Sequence, residues 1–180
     1  DVAKASAQPL LVWGGLVLST SLIIWLLITN TPKGEGGGSW HLLWILMTLI
    51  GGIYQYYFNR SWSVPDTIVS RTIGYMWGVF GISVFVLWAI DICAITFGGI
   101  SARQIMPMTP TIILFMGLSV AVTGLVINRL FISVIGAVAC AACSYFSLVN
   151  QGVNELLCVA VTAVFTLLIP GLYLKFSNGR

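Results

Sequence analysis

Lys, Arg, Asp and Glu are absent from six long stretches of this sequence, 5–32, 36–59, 72–90, 104–128, 130–154 and 156–174. Crossing a hydrocarbon core of roughly 30 Å takes about 20 helical residues, and each stretch can supply them. Only helices and closed barrels satisfy every backbone polar group in lipid. The stretches are continuously apolar rather than alternating residue by residue, which selects helices over a barrel. The expected fold is therefore all-α: a polytopic bundle of six transmembrane helices, filling 1–180 as one domain. The spans drawn from the pattern are 9–29, 40–58, 73–97, 110–128, 130–149 and 156–174.

Composition agrees with this reading. Charged residues make up 7% of the chain and hydrophobic ones 58%, whereas a soluble domain carries about 25% charge. The first apolar run is too long for the core of a cleavable signal peptide, and no small-x-small site follows it. The sequence starts at Asp1 rather than Met, so upstream residues are expected in the natural chain. The net charge of +3 comes from scattered Lys and Arg, with no basic patch of the kind nucleic acid requires. Their placement orients the chain instead. Lys4, Arg60, Arg71, Arg129, Lys175 and Arg180 flank one side, and Lys33 and Arg103 the other. By the positive-inside rule both termini are expected in the cytoplasm, in a multi-pass protein of the cell (inner) membrane.

The connections are short and rich in turn residues. Asn128-Arg129 leaves almost no loop between the fourth and fifth spans, which must then be antiparallel neighbours. Small residues recur at helical spacing: Gly74, Gly78 and Gly81; Gly117, Ala121 and Gly124; Ser133, Gly136, Cys140, Ser144 and Ser147. Lipid gives helices no hydrophobic reason to associate, so packing at such small residues is expected to hold the bundle together. Trp13, Trp40, Trp44, Trp62 and Trp77 lie near span ends, as an interfacial aromatic belt requires.

Few residues can carry chemistry. Asp91 is the one acidic residue inside a drawn span, where a charge costs at least ~2.5 kcal/mol and normally faces protein or water. It is either a proton or cation site or a partly solvated residue near the outer interface. His41, Arg103 and Glu155 fall at the same end by the expected topology, and with Asp91 they form a candidate polar cluster. His41, Asp91 and Glu155 are zinc-ligand types, but no local motif fixes their spacing, and no metal or cofactor is expected. Gln55, Thr162, Thr166 and Pro170 outline a candidate solute path, or ordinary packing. Pro170 removes the hydrogen bond to the Thr166 carbonyl, so a kink is expected there. Cys140-x-x-Cys143 lies near mid-membrane among alanines and reads as packing rather than as a redox pair; a Cys93–Cys158 disulfide is not expected between packed helices. Catalytic motifs such as HExxH, GxSxG or a Walker loop are absent, so no catalytic residue is assigned.

Several segments, in order and spacing, carry a likeness: Pro9-Leu10-Leu11-Val12-Trp13-Gly14, Trp40-His41-Leu42-Leu43-Trp44, the run 71–81 from Arg71 to Gly81, Thr123-Gly124-Leu125-Val126-Ile127 and Ile169-Pro170-Gly171. The chain resembles a family of small six-span uncharacterised bacterial integral membrane proteins. The resemblance implies six spans and a charged cytoplasmic stretch before the first of them, and transfers no active-site residue. Three functional classes stay open: a membrane-embedded interaction or sensory component with a membrane or cytoplasmic protein partner, a small-solute transporter or channel using Asp91 and the sixth-span stripe, and a membrane thiol or lipid enzyme. Beyond the lipid bilayer no partner is specified, and the oligomeric state stays open.

Overall fold

The computed structural model describes residues 2–31, 41–61, 67–99 and 107–176, and side chains for 7–31, 42–57, 67–99 and 107–176. The described residues are all-helical: α1 (Val2–Asn30), α2 (His41–Ser61), α3 (Ile68–Thr96), α4 (Met108–Val126), α5 (Leu130–Val149), α6 (Glu155–Ala163), a π-helical turn (Val164–Leu168) and α7 (Ile169–Phe176). The last three form one rod, Glu155–Phe176. That rod, α1, α3, α4 and α5 are the five helices long and apolar enough to cross a membrane; in α2 the apolar segment is the shorter Leu42–Tyr57.

The most intimate pair is α4 with α5. A Cβ on Gly117 would collide with the Cβ of Cys140 and lie 2.9 Å from the Gly136 carbonyl oxygen. A Cβ on Gly124 would sit 2.5 Å from Ser133 Oγ, and one on Gly136 would sit 3.1 Å from Ala121 N. The two backbones therefore touch along the whole expected face. Their closeness brings hydroxyls within reach of the facing backbone: Ser133 Oγ donates to the Ala121 carbonyl at 2.8 Å and Ser144 Oγ to the Pro110 carbonyl at 3.0 Å. Interhelical hydrogen bonds of this kind contribute about 0.6–1.7 kcal/mol in membranes.

The turn that sets this hairpin is closed by its own backbone. Asn128 has φ 56°, a left-handed conformation that Asn tolerates better than other residues with a Cβ. Its N–H donates to the Leu125 carbonyl at 3.0 Å, and the Arg129 N–H donates to the Gly124 carbonyl at 2.7 Å. This is the Schellman pattern, with Asn where Gly is usual.

The rod is the centre of the bundle. Val159, Ala160, Thr162, Ala163, Thr166, Leu167, Pro170, Gly171 and Leu174 are all buried, and the rod packs on α1, α4 and α5. Against α1 it runs antiparallel. Gly14 faces Leu167 and Leu168, and Gly171 faces Leu11 and the Ala7 carbonyl. Ala7, Leu10, Met116, Val120, Ile132, Ala163, Leu167 and Leu174 make the main core.

The outer helices are more loosely held. Helix α2 leans on α1, with Gly51 beneath the Trp13 ring, and Trp44 packs on a second core of Ile113, Cys140, Cys143 and Val159. Helix α3 rests on α4, where Trp77 Nε1 donates to Thr123 Oγ1 at 3.3 Å. Trp13, Trp44 and Trp77 thus serve helix contacts, where an interfacial belt was expected; Trp40 and Trp62 lie outside the described residues.

Three local features differ from the expectations. Helix α3 begins at Ile68, not 73, because Thr67 and Ser70 form a reciprocal cap: Ser70 N donates to Thr67 Oγ1 at 3.2 Å and Thr67 N to Ser70 Oγ at 3.1 Å. Pro170 is preceded by the π-helical turn, with Ile169 N–H bonded to the Val164 carbonyl; the wider turn accommodates a residue that lacks an N–H. Finally, Gly74, Gly78 and Gly81 take no part in packing among the described residues, since a Cβ at any of them would meet none of these within 4 Å.

Leucine at Gly117 or Gly124 has to push the hairpin backbones apart. Either substitution should cost about 3 kcal/mol, the upper end for overpacking, and appear as a clear fall in the melting temperature in detergent. An unchanged melting temperature for both would contradict the interface.

Candidate functional site

Asp91 lies on the same face of α3 as Trp77, Phe80, Val84 and Leu87, the less exposed side of that helix, and is itself half-buried. Trp77 and Phe80 reach the main core from this face. Among the described residues no hydrogen bond or ion pair reaches the Asp91 carboxylate. Arg103 and the His41 side chain lie outside the described residues, so of the expected cluster only Asp91 and Glu155 can be compared.

Glu155 has a local task. Its Oε1 accepts from the Gly152 N–H at 2.8 Å, while Glu155 N donates back to the Gly152 carbonyl at 3.0 Å. Gly152 has φ 102°, a backbone that favours glycine. The carboxylate thereby ties down the turn before α6, and in the first turn of that helix it lies where the dipole favours negative charge. The sequence signal was a glycine three residues before a lone acid at the head of an uncharged run. Among the described residues no group of three or more His, Cys, Asp and Glu side chains could hold a metal ion.

Thr162 and Thr166 are fully buried. Their hydroxyls donate to their own helix, to the Cys158 carbonyl at 2.7 Å and the Thr162 carbonyl at 2.8 Å. Such back-bonding satisfies a hydroxyl without a partner helix. Pro170 is also fully buried. Gln55 is half-buried on α2. These four positions therefore belong to two separate places, three in the packed rod and one on an outer helix.

Two surface concavities accompany this closed centre. One, of about 200 Å³, lies between α1 and α2, with Leu16, Thr20 and Ile23 facing Leu43, Met47 and Ile50. The other, of about 450 Å³, is an open aromatic groove where the start of α5 meets α7. Neither includes Thr162, Thr166 or Asp91.

All four cysteines are free thiols. Cys140 and Cys143 face α4 in the second core, beside Ile113 and Val159, and Cys140 Sγ donates to the Ala137 carbonyl at 3.1 Å. Ser147 is fully buried, and its Oγ has no hydrogen-bond partner among the described residues. No family model matches this chain, and neither a curated protein nor a solved structure matches it.

The burial pattern orders thiol reactivity. In native, detergent-solubilised protein, N-ethylmaleimide should modify Cys93 first and Cys158 more slowly. Cys140 and Cys143 should react only after denaturation. Rapid native modification of Cys140 or Cys143, read by peptide mass spectrometry, would mean that the α4–α5 contact opens.

Proposed function

We propose that this chain is a six-span inner-membrane protein that works as a membrane-embedded interaction or sensory component, with α3 as the helix that meets a partner protein inside the bilayer. The observation that carries the reading is α3 itself. It is 29 residues long and has no buried residue. Outside the Trp77 side it is exposed and apolar, with Ile68, Tyr75, Val79 and Ile82 each more than 60% exposed. Gly74, Gly78 and Gly81 on α3 are open, as are Gly15 on α1 and Gly52 on α2, whereas Gly14, Gly51, Gly117, Gly124, Gly136 and Gly171 press on a neighbour; α3 is the helix whose glycines are all open, three of them one turn apart. Glycine costs a helix about 1 kcal/mol against alanine. In lipid its return comes from a close helix contact.

Six crossings are supported by the pairing of the helices. Ala7 and Leu11 lie beside Gly171, so the start of α1 and the end of the rod share one face of the bundle. Trp13 meets Gly51, and the concavity beside them is lined by 16–23 of α1 and 43–50 of α2, so α1 runs forward as α2 runs back. Trp77 near the start of α3 bonds Thr123 near the end of α4. With α4 and α5 antiparallel, the first and last helices meet in this register only if the number of crossings is even. This parity supports counting α2 as a sixth span despite its shorter apolar segment. The charge bias then puts both termini in the cytoplasm, as the likeness to six-span bacterial membrane proteins also implies. The closed rod gives the alternative, a solute path through Thr162, Thr166 and Pro170, no supporting feature.

The test compares two glycines. Gly78→Leu should leave the melting temperature in detergent within about 2 °C of wild type, because the side chain enters open space, a surface-like change of under ~0.5 kcal/mol. The same substitution should remove the partner recovered by intramembrane photo-crosslinking from positions on α3 in native membranes. A fall in stability like that of Gly117→Leu, or crosslinks to lipid alone from every α3 position, would refute the reading. For orientation, a membrane-impermeant thiol reagent added outside intact cells should reach cysteines placed at Gly36 and Ala102 but not at Ser63. Labelling at Ser63 would reverse it.

A further inference from the structure

We infer that the aromatic groove between α5 and α7 is a binding site for an anionic phospholipid, with the acyl chain in the groove and the phosphate at Arg129 and Lys175. The groove is lined by Phe131, Ile169, Leu172, Tyr173 and Phe176 and holds about 450 Å³. On the rod, 169, 172, 173 and 176 fall at one-turn spacings, so a single apolar face runs along it. Phe131 closes the other wall, with its ring centroid 5.2 Å from that of Tyr173. The groove stays open: Phe131 is half exposed and Phe176 is 73% exposed.

The charges at the same end fit a lipid better than a neutral apolar partner. Arg129 stands two residues before Phe131, at the N-cap of α5, which has no side-chain cap. The positive end of that helix dipole is therefore directed at the same place. Lys175 follows Tyr173 by two residues and holds its ammonium 5.9 Å from the Phe176 ring centroid. Two basic residues and a helix N-terminus thus lie at the same end of the bundle as the open apolar slot, and Lys175 reaches its wall at the Phe176 ring. Among the described residues, no carboxylate lies on α4, α5 or α7 to neutralise them. Basic pockets between spans, on the cytoplasmic side, suit anionic headgroups in this way. Tyr173 and the phenylalanines supply the amphipathic and apolar wall along which a chain lies.

The inference rests on the membrane reading above, and the two fail in different ways. If that reading is wrong, the protein will stay soluble and monodisperse when detergent is removed. The test of the lipid site uses delipidated full-length protein in detergent, titrated with dioleoyl-phosphatidylglycerol or dioleoyl-phosphatidylcholine, with bound lipid counted by native mass spectrometry. Phosphatidylglycerol should be retained about thirtyfold better, each of the two basic residues contributing about fivefold. R129Q/K175Q should reduce that preference to about twofold or less, and Lys175→Gln alone, a fully surface change, should reduce it part of the way. Phe131→Ala should weaken both lipids together. Inorganic phosphate at millimolar concentration should not displace the lipid. Equal retention of the two lipids, a preference that survives the double substitution, or displacement by free phosphate would each overturn the lipid assignment.

Discussion

Contact between the α4 and α5 backbones is the interaction on which the rest of the bundle depends. In a bilayer, side chains find no water to escape, so the usual drive to bury leucine is missing. Helices must gain more from one another than from lipid tails, through dispersion at short range and through hydrogen bonds that lipid cannot offer. Gly117, Gly124 and Gly136 bring the chains close enough for both. Ser133 and Ser144 then reach carbonyls of the facing helix. The rod, seated against this pair, presents Ala160, Ala163, Thr162 and Thr166, all small, and α1 closes over it where Gly14 and Gly171 permit. At each of these contacts a small residue lets the helices approach.

Much of this was legible in the residues. Six uncharged runs announce helices because only helices and closed barrels satisfy a backbone in lipid, and the runs do not alternate as barrel strands do. Asn128-Arg129 announces a hairpin because two residues allow no other neighbour, and the small-residue faces of α4 and α5 meet as their spacing implies. The early start of α3 was written in Thr67 and Ser70, but the nearby Arg71 made that segment look like a loop. Glu155 was read as part of a polar cluster because it shares an end of the bundle with Asp91, yet its carboxylate is committed to the neighbouring Gly152 N–H. The π-helical turn had no such sign. Pro170 says that the hydrogen-bond ladder must change, not whether it will bend or widen.

The glycines of α3 show where sequence pattern loses its power. Gly74-x-x-x-Gly78 has the spacing of a tight helix contact, as the stripe of α4 does. Spacing reports what a face is able to do. Whether a partner is there depends on what the rest of the chain brings to that face, and here the described residues bring nothing within 4 Å. The same holds for the tryptophans. An indole near a span end suits both an interface and a helix contact, and Trp13 took the second because Gly51 left room beneath its ring.

The antiparallel union of α1 with the rod has a consequence for how the protein is made. The first helix is complete at Asn30, but the residues it packs against begin at Glu155. At about 5–20 residues per second, roughly 6–25 s of synthesis separate the two. Through that interval the α1 surface around Gly14 has no permanent neighbour except α2, while the α4–α5 hairpin can close as soon as it leaves the ribosome. The native centre is therefore the last thing assembled, and the newborn first helix is the part of the chain with most reason to be held by something else in the meantime.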